Sequence, residues 1–363
     1  MIGIRVDGNS KIGTGHVMRC LAIANELNKI HVPFVFILAD EQAQPLMEHV
    51  GYKTVILHSL YDSMLDEIPV LKKIIQEYTI ELLLLDTYQA TSEYFVEIQK
   101  MVKIAYMDDL FQHTKDADII INYNLYGTQM GYVQSNHMLL GTNFVPLREE
   151  FQKIIYIPEN IVRNVLISTG GSDQFFISGQ LLECLETHKH AKELTFHVVS
   201  GKLNPYRAML EKIAETYGNV MIHQGVEKMS ELMKFCDLAI SAGGSTMYEL
   251  CAVGVPIICF SYADNQELLV EHFVRGQYAF YGGNYLEGKD LFLEKIEQTF
   301  WRAIDDYEMR KQMSEHCKAL VDGYGAMKIA ISLKEHLKKC MDEEMKNSGK
   351  KKKITETWNN FIF

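Results

Sequence analysis

Short apolar runs alternate with amphipathic stretches along most of this chain. The runs "IGIRV", "PFVFIL", "KTVIL", "ELLLLD", "VKIAYMDD" and "ADIIINY" are a few residues long, rich in Val, Ile or Leu, and end in polar or turn-forming residues. Near-continuous apolar runs suit strands covered on both faces, as in a parallel sheet. Between them lie segments of helical period. In "HVMRCLAIANELNK", Val17, Leu21, Ala24 and Leu27 recur at helical spacing. This alternation predicts an α/β fold built on open, doubly wound sheets.

The pattern pauses over "GTNFVPLREEFQKIIYIPENIVRN" and resumes with "VLISTGG", "LTFHVVSG", "VMIHQG", "LAISAGG" and "PIICFSY". A length of 363 residues is ample for two cores. The reading is therefore an N-terminal α/β domain over residues 1–150, a linker over 151–163, a second α/β domain over 164–335 and a tail over 336–363. Pro146 and Pro158 bracket the linker, and each holds the residue before it in extended backbone. Two similar Rossmann-like domains then face a cleft.

In open α/β sheets ligands collect where strand ends turn into helix N-termini, and glycine lets backbone N–H groups approach an anion there. Three segments have this form: "GTGH" at 13–16, "STGGSD" at 168–173 and "SAGGSTMYEL" at 241–250. Together they point to a phosphorylated ligand. Gly8 and Gly13 have the glycine spacing of a P-loop, but Thr14 stands where the lysine is required, which excludes an ATP cradle of that kind. Gly13 and Gly15 begin a dinucleotide fingerprint, but Met18 occupies the third glycine, which argues against a nicotinamide enzyme.

What remains distinctive in the first turn is His16. It stands at the start of a helix, where it either packs against the turn or, as a neutral imidazole, accepts a proton. Arg19, three positions on, either holds a phosphate or carboxylate or is a surface arginine. Glu249 has the spacing of a capping box with Thr246, and alternatively the placement to accept hydrogen bonds from ribose hydroxyls.

Charge and cysteines narrow the class of partner. A net charge of −11 and a sequence pI near 5.7 disfavour nonspecific contact with nucleic acid or an anionic membrane. The seven cysteines include no CxxC pair and no metal-ligand spacing, so they read as buried thiols of a reducing cytoplasm. Arg5 and Asp7 interrupt the first apolar run, unlike a signal peptide, and no run approaches the roughly 20 apolar residues of a membrane span. A cytoplasmic protein without metal or cofactor is expected, and the run Lys350 to Lys353 reads as a solvated tail.

The segments "RVDGNSKIGTGHVMRCLAIANEL", "LLLLDTY", "YMDDL", "LREEF", "STGGSD", "SAGGSTMYELCAVGVPIICF" and "DNQ" resemble, in order, the landmarks of the UDP-2,4-diacetamido-2,4,6-trideoxy-β-L-altropyranose hydrolases of pseudaminic acid biosynthesis. The resemblance runs from Met1 to about residue 335. It implies a two-domain GT-B fold, shared with the undecaprenyl-linked N-acetylglucosaminyltransferase of peptidoglycan synthesis, and release of UDP from a UDP-sugar without a cofactor. By the same resemblance His16 is the base that activates water, and Gly243, Gly244, Ser245 and Thr246 face the diphosphate. Glu249 holds the ribose, Asn265 contacts the ligand, and Asp7 and Tyr88 line the sugar pocket. Gly13, Gly15, Arg19 and Gly171 complete the substrate-binding set. After "STGGSD" this chain continues "QFFIS", where the family often has an asparagine and a threonine. The competing readings are a GT-B glycosyltransferase that needs an acceptor and a silent nucleotide-sugar binder.

Overall fold

The structure is a computed structural model of the chain; residues 1–9, 12–111, 116–132, 137–171, 173–201 and 204–347 are described, with side chains up to residue 339. Two parallel sheets follow one another. The first is built from β1 (Ile2–Val6), β2 (Phe34–Leu38), β3 (Thr54–Ile56), β4 (Leu82–Asp86), β5 (Lys103–Met107), β6 (Ile119–Asn122) and β7 (His137–Leu140), in the spatial order β3-β2-β1-β4-β5-β6-β7. Its connections run through α1 (Gly15–Lys29), α2 (Gln44–Val50), α3 (Met64–Glu77) and α4 (Ser92–Gln99).

The second sheet holds β8 (Asn164–Ser168), β9 (Thr195–Ser200), β10 (Val220–Gln224), β11 (Leu238–Ala242), β12 (Ile257–Ser261) and β13 (Phe280–Asn284), in the order β10-β9-β8-β11-β12-β13. With it come α5 (Ile177–Leu185), α6 (Arg207–Tyr217), α7 (Met229–Phe235), α8 (Ser245–Val253), α9 (Asp264–Arg275), α10 (Lys289–Asp305), α11 (Tyr307–Leu320) and α12 (Gly325–Asn347). Both sheets are doubly wound, as the run of apolar segments predicts, and together they form the GT-B fold that the resemblance implies.

Burial explains why the central strands are continuous apolar runs. Ile2, Ile4, Val6, Leu82 and Leu84 face a core that includes α1 and continues into the second domain. Their neighbours Leu83, Leu85, Val35 and Ile37 face a separate core closed by α3 and α4. Strands covered on both sides cannot alternate apolar with polar residues. β7 and β13 are absent from the runs read in the sequence. β7 is an edge strand with His137 exposed, and β13 is the edge strand "FYGGN", whose pairing with β12 shifts register between Cys259 and Ser261. A four-residue run that begins with an exposed histidine, and a run broken by two glycines, carry a weak apolar signature.

One charge lies deep in the first sheet. Arg5 is fully buried, with Nε and Nη2 donating to the two oxygens of Glu67 at 2.9 and 2.8 Å and Nη1 donating to Asp7 Oδ2 at 2.6 Å. Tyr94 adds a bond to Glu67 at 2.8 Å. Burial opposes the Arg5 charge, but the facing Glu67 and Asp7 outweigh it and hold the guanidinium charged.

After α11 the chain turns back to the first domain. α12 packs along α1, with Ala330, Leu333 and Leu337 buried, while Lys334 Nζ donates to Ile30 O at 2.8 Å and Ser332 meets His137 Nε2 at 2.7 Å. The helix therefore runs through residue 335, the limit drawn between second domain and tail; Lys350 to Lys353 lie outside the described residues. The linker is held by Arg310, whose Nη2 donates to Glu159 O and Asn160 O at 3.1 and 2.7 Å, and by Lys318, which donates to Tyr156 O at 3.1 Å.

The turn into α12 runs so close to the end of the first domain and the start of the linker that a Cβ on Gly325 would stand 2.1 Å from Val145 O, and one on Gly323 2.5 Å from Phe151 O. Gly325→Ala must displace backbone, and a loss of about 1–3 kcal/mol is expected. A lowered Tm in calorimetry checks this; an unchanged Tm would show the crossing to be looser than it stands.

Candidate active site

In both sheets the chain reverses its winding beside the first strand, at β1/β4 and at β8/β11, and the crevice outside such strand ends is where open α/β sheets bind ligands. β1 and β4 pair in parallel with Val6 opposite Asp86, so the turn after β1 and the carboxylate ending β4 are neighbours. That turn is closed by Gly13 at φ +73, whose N–H donates to Asn9 O at 2.8 Å, and α1 follows at Gly15 with no side-chain cap. A left-handed residue is needed there, and glycine takes it without strain.

The first turn of α1 aims His16 and Arg19 at Asp86. His16 Nδ1 stands 2.6 Å from Asp86 Oδ1, while Arg19 donates through Nε to Oδ2 at 2.6 Å and through Nη2 to Oδ1 at 2.5 Å. The Cys20 thiol also donates to Oδ2, at 3.4 Å. Burial alone would raise the Asp86 carboxyl, but the charge of Arg19 and the hydrogen bonds from Arg19 and His16 outweigh it and hold it well below the usual carboxylate range. An ionised carboxylate only accepts, so Nδ1 of His16 carries the proton it shares with Asp86. The approach of Arg19 Nη2 to His16 Nδ1, 3.1 Å, is then two donors meeting over one oxygen. Nε2 is left as the nitrogen free to accept a proton, and the ring is 12% exposed.

Arg19 reaches further. Its Nη1 donates to Asp109 Oδ2 and to the Tyr123 hydroxyl, both at 2.6 Å, and Tyr88 donates to the same Asp109 oxygen at 2.9 Å. Burial and the nearby Asp109 charge push the Tyr88 phenol far up, so it stays protonated. The Tyr88 ring is edge-on to His16 with centroids 4.6 Å apart and is 38% exposed. Asp7, Ile12, His16, Tyr61, Asp86, Thr87, Tyr88 and Gln89 enclose a cavity of about 20 Å³, the space of one water. Asp7 belongs to its wall, but its oxygens are taken by Arg5 and by Ala39 N–H at 2.8 Å.

The residues expected in the second domain gather at β11 and β12. Gly244 precedes α8, which has no side-chain cap; the Met247 N–H donates to Gly244 O at 3.1 Å, and the N–H groups of Ser245 and Thr246 stand at the positive helix end. Ser245 is exposed and Thr246 partly so. Gly243 is packed under α9: a Cβ there would stand 2.8 Å from Val270 and 3.0 Å from Gln266. This sets Asn265, exposed in the first turn of α9, next to the turn before α8. Gly171 lies in the turn after β8, its carbonyl backed by Gly201, where a Cβ would come within 2.0 Å. In the same turn Asp173 accepts from Ile177 N–H at 2.8 Å and from the Ser178 hydroxyl, so it caps α5.

The capping-box alternative for Glu249 is not what forms. Glu249 lies 3.5 Å from Nη2 of Arg148, at the end of the first domain, and its side chain is one-fifth exposed. Burial lifts its carboxyl to about 7; Arg148 pulls it down and the neighbouring Glu150 pushes it up. Asp86, Asp109, Tyr123 and Arg148 were not singled out from the sequence. The aspartates ended the quoted runs "ELLLLD" and "VKIAYMDD", and a carboxylate closing a central strand beside a histidine-bearing turn was the signal available. Among the described residues no group of three or more His, Cys, Asp or Glu is placed to hold a metal, and no helix is long and apolar enough to cross a membrane.

Residues 165–317 match the glycosyltransferase family 28 C-terminal domain. The chain is 24% identical over 345 residues to the spore coat polysaccharide biosynthesis protein SpsG of Bacillus subtilis (strain 168), spanning 92% of this chain and 98% of that protein. It is 25% identical over 272 residues to the UDP-2,4-diacetamido-2,4,6-trideoxy-beta-L-altropyranose hydrolase of Campylobacter jejuni, spanning 72% of this chain and 92% of that one. Among solved structures, MurG of Acinetobacter baumannii superposes with a TM-score of 0.68 at 11% identity, over 92% of this chain and 99% of that one, a likeness of fold.

Proposed function

We propose that this protein is a hydrolase of a UDP-linked diacetamido-trideoxy sugar, releasing UDP and the free sugar by attack of water at the anomeric carbon. The observation that carries the reading is the buried Asp86 carboxylate bonded to His16 Nδ1, with a one-water cavity beside it. Asp86 fixes the imidazole so that Nε2 takes a proton from water as the water attacks, and it stabilises the imidazolium that forms. UDP is a good leaving group, so the remaining task is to receive its charge. The uncapped start of α8, with Gly243, Gly244, Ser245 and Thr246, supplies N–H groups and a helix dipole for this without a metal. Glu249 then accepts from the ribose, Asn265 and Gly171 border the ligand, and Gly13, Gly15, Arg19, Asp7 and Tyr88 shape the sugar end.

The likeness to the Campylobacter hydrolase supports the substrate class, water being the acceptor. A second reading, transfer of the sugar to an acceptor, is favoured by the family 28 match over residues 165–317. UDP release that is the same with and without added sugar or lipid acceptors supports hydrolysis; strict dependence on an acceptor supports transfer.

His16→Ala is expected to lower turnover of the altrose substrate by about 10²–10⁴-fold while UDP affinity changes less than about threefold. Asp86→Asn, which unsettles the tautomer, is expected to lower it by a similar order. Steady-state UDP release with parallel calorimetric titration of UDP checks both, and full activity in His16→Ala would end the proposed mechanism.

Glu249 gives a dependence on pH. A carboxyl lifted to about 7 is protonated below that pH, where it stops accepting a pair of ribose hydroxyls. Binding of a UDP-sugar, whose diphosphate diester does not titrate there, should weaken by up to about tenfold per unit as pH falls below 7. In Glu249→Gln the affinity should be lower and flat with pH; a wild-type Kd that does not vary between pH 5.5 and 8 would remove Glu249 from the ribose.

A further inference from the structure

Water held on His16 and a diphosphate held at α8 belong to different domains, so the proposed reaction needs their spacing fixed. A misplacement of about 1 Å can cost about 10²-fold in rate. Packed apolar surfaces let domains slide, whereas directional hydrogen bonds define one position.

Tyr248 supplies such bonds. It lies on α8 beside Glu249, is 1% exposed, and its hydroxyl accepts from Leu125 N–H at 3.1 Å and donates to Asn124 Oδ1 at 3.3 Å. The partner is itself held: both the N–H and the Nδ2 of Asn124 donate to Asn122 Oδ1, at 3.0 and 3.1 Å, at the end of β6. The Tyr248 ring meets Tyr123 edge-on at 5.8 Å, and Tyr123 is the residue whose hydroxyl receives Arg19 Nη1. A continuous path therefore runs from His16 through Asp86, Arg19 and Tyr123 to Tyr248 and the start of α8.

We propose that Tyr248 is a positioning residue, whose hydroxyl sets the distance between the diphosphate turn and His16. The inference rests on the reading of the chain as a UDP-sugar hydrolase. Its hydroxyl touches no reacting group, and the ring alone would keep the packing against Tyr123 and Phe273.

Tyr248→Phe tests it, with Asn124→Ala as the variant that removes the acceptor from the other side. Expected are a fall in kcat of about tenfold per UDP-binding site, a Kd for UDP within threefold of wild type, and a larger radius of gyration in X-ray scattering of the unliganded protein. A merely structural hydroxyl would lower Tm and the number of UDP-binding sites together, with kcat per site and radius of gyration as in wild type. That result in both variants would overturn the inference. If the wild type releases no UDP from the altrose substrate, the hydrolase reading fails by itself, and the scattering comparison still decides whether Tyr248 fixes the spacing.

Discussion

A carboxylate with no access to water must be paired or give up its charge, and the arrangement around Asp86 follows from that constraint. Asp86 ends a strand covered on both faces, and its two oxygens receive His16, Arg19 twice and Cys20. All three partners lie in the first turns of α1, so satisfying one aspartate fixes how α1 leaves the sheet. The same pairing directs one ring nitrogen of His16 inward and leaves the other for chemistry. Removal of Arg19 would leave a buried negative charge with a neutral histidine beside it, a loss on the order of 3–5 kcal/mol for such pairs.

A second buried charge shows the contrast between holding a fold and serving a site. Arg5, Asp7 and Glu67 close a network with Tyr94 and the Ala39 N–H in which the Arg5 charge is matched from two sides. Asp7 borders the small cavity, yet its oxygens are already engaged, so its part in the proposed reaction is to shape the wall. Asp86 and Asp7 end neighbouring strands, and their difference lies in the partner: a guanidinium and an imidazole at one, a guanidinium alone at the other.

Much of this was legible in the chain. Runs such as "ELLLLD" and "LAISAGG" read as buried parallel strands, and the turns at 13–16 and 241–250 stood at strand ends, where ligands collect. His16 was legible because no phosphate motif accounted for it. What could not be read was pairing across distance. Asp86 is 70 residues from His16, and only the order of strands brings β1 beside β4. Glu249 fitted a local capping box, yet Arg148 of the first domain, far away in sequence, is what it meets. β7 was silent because it is four residues beginning with an exposed histidine, and β13 because two glycines interrupt it; the return of α12 to α1 was hidden because an amphipathic helix does not say which domain it covers.

In the proposed reaction the domains divide the labour: the first prepares a nucleophile, the second receives a diphosphate, and the buried tyrosines between them keep one distance. Water would then attack carbon at a histidine-held position with no other acceptor needed. The direct test is turnover of UDP-2,4-diacetamido-2,4,6-trideoxy-β-L-altropyranose in ¹⁸O-labelled water, without added acceptor, followed by mass spectrometry of both products. Attack of water on carbon places one ¹⁸O on the anomeric carbon of the free sugar and none in UDP. Label in UDP, or no release until an acceptor is supplied, would contradict it.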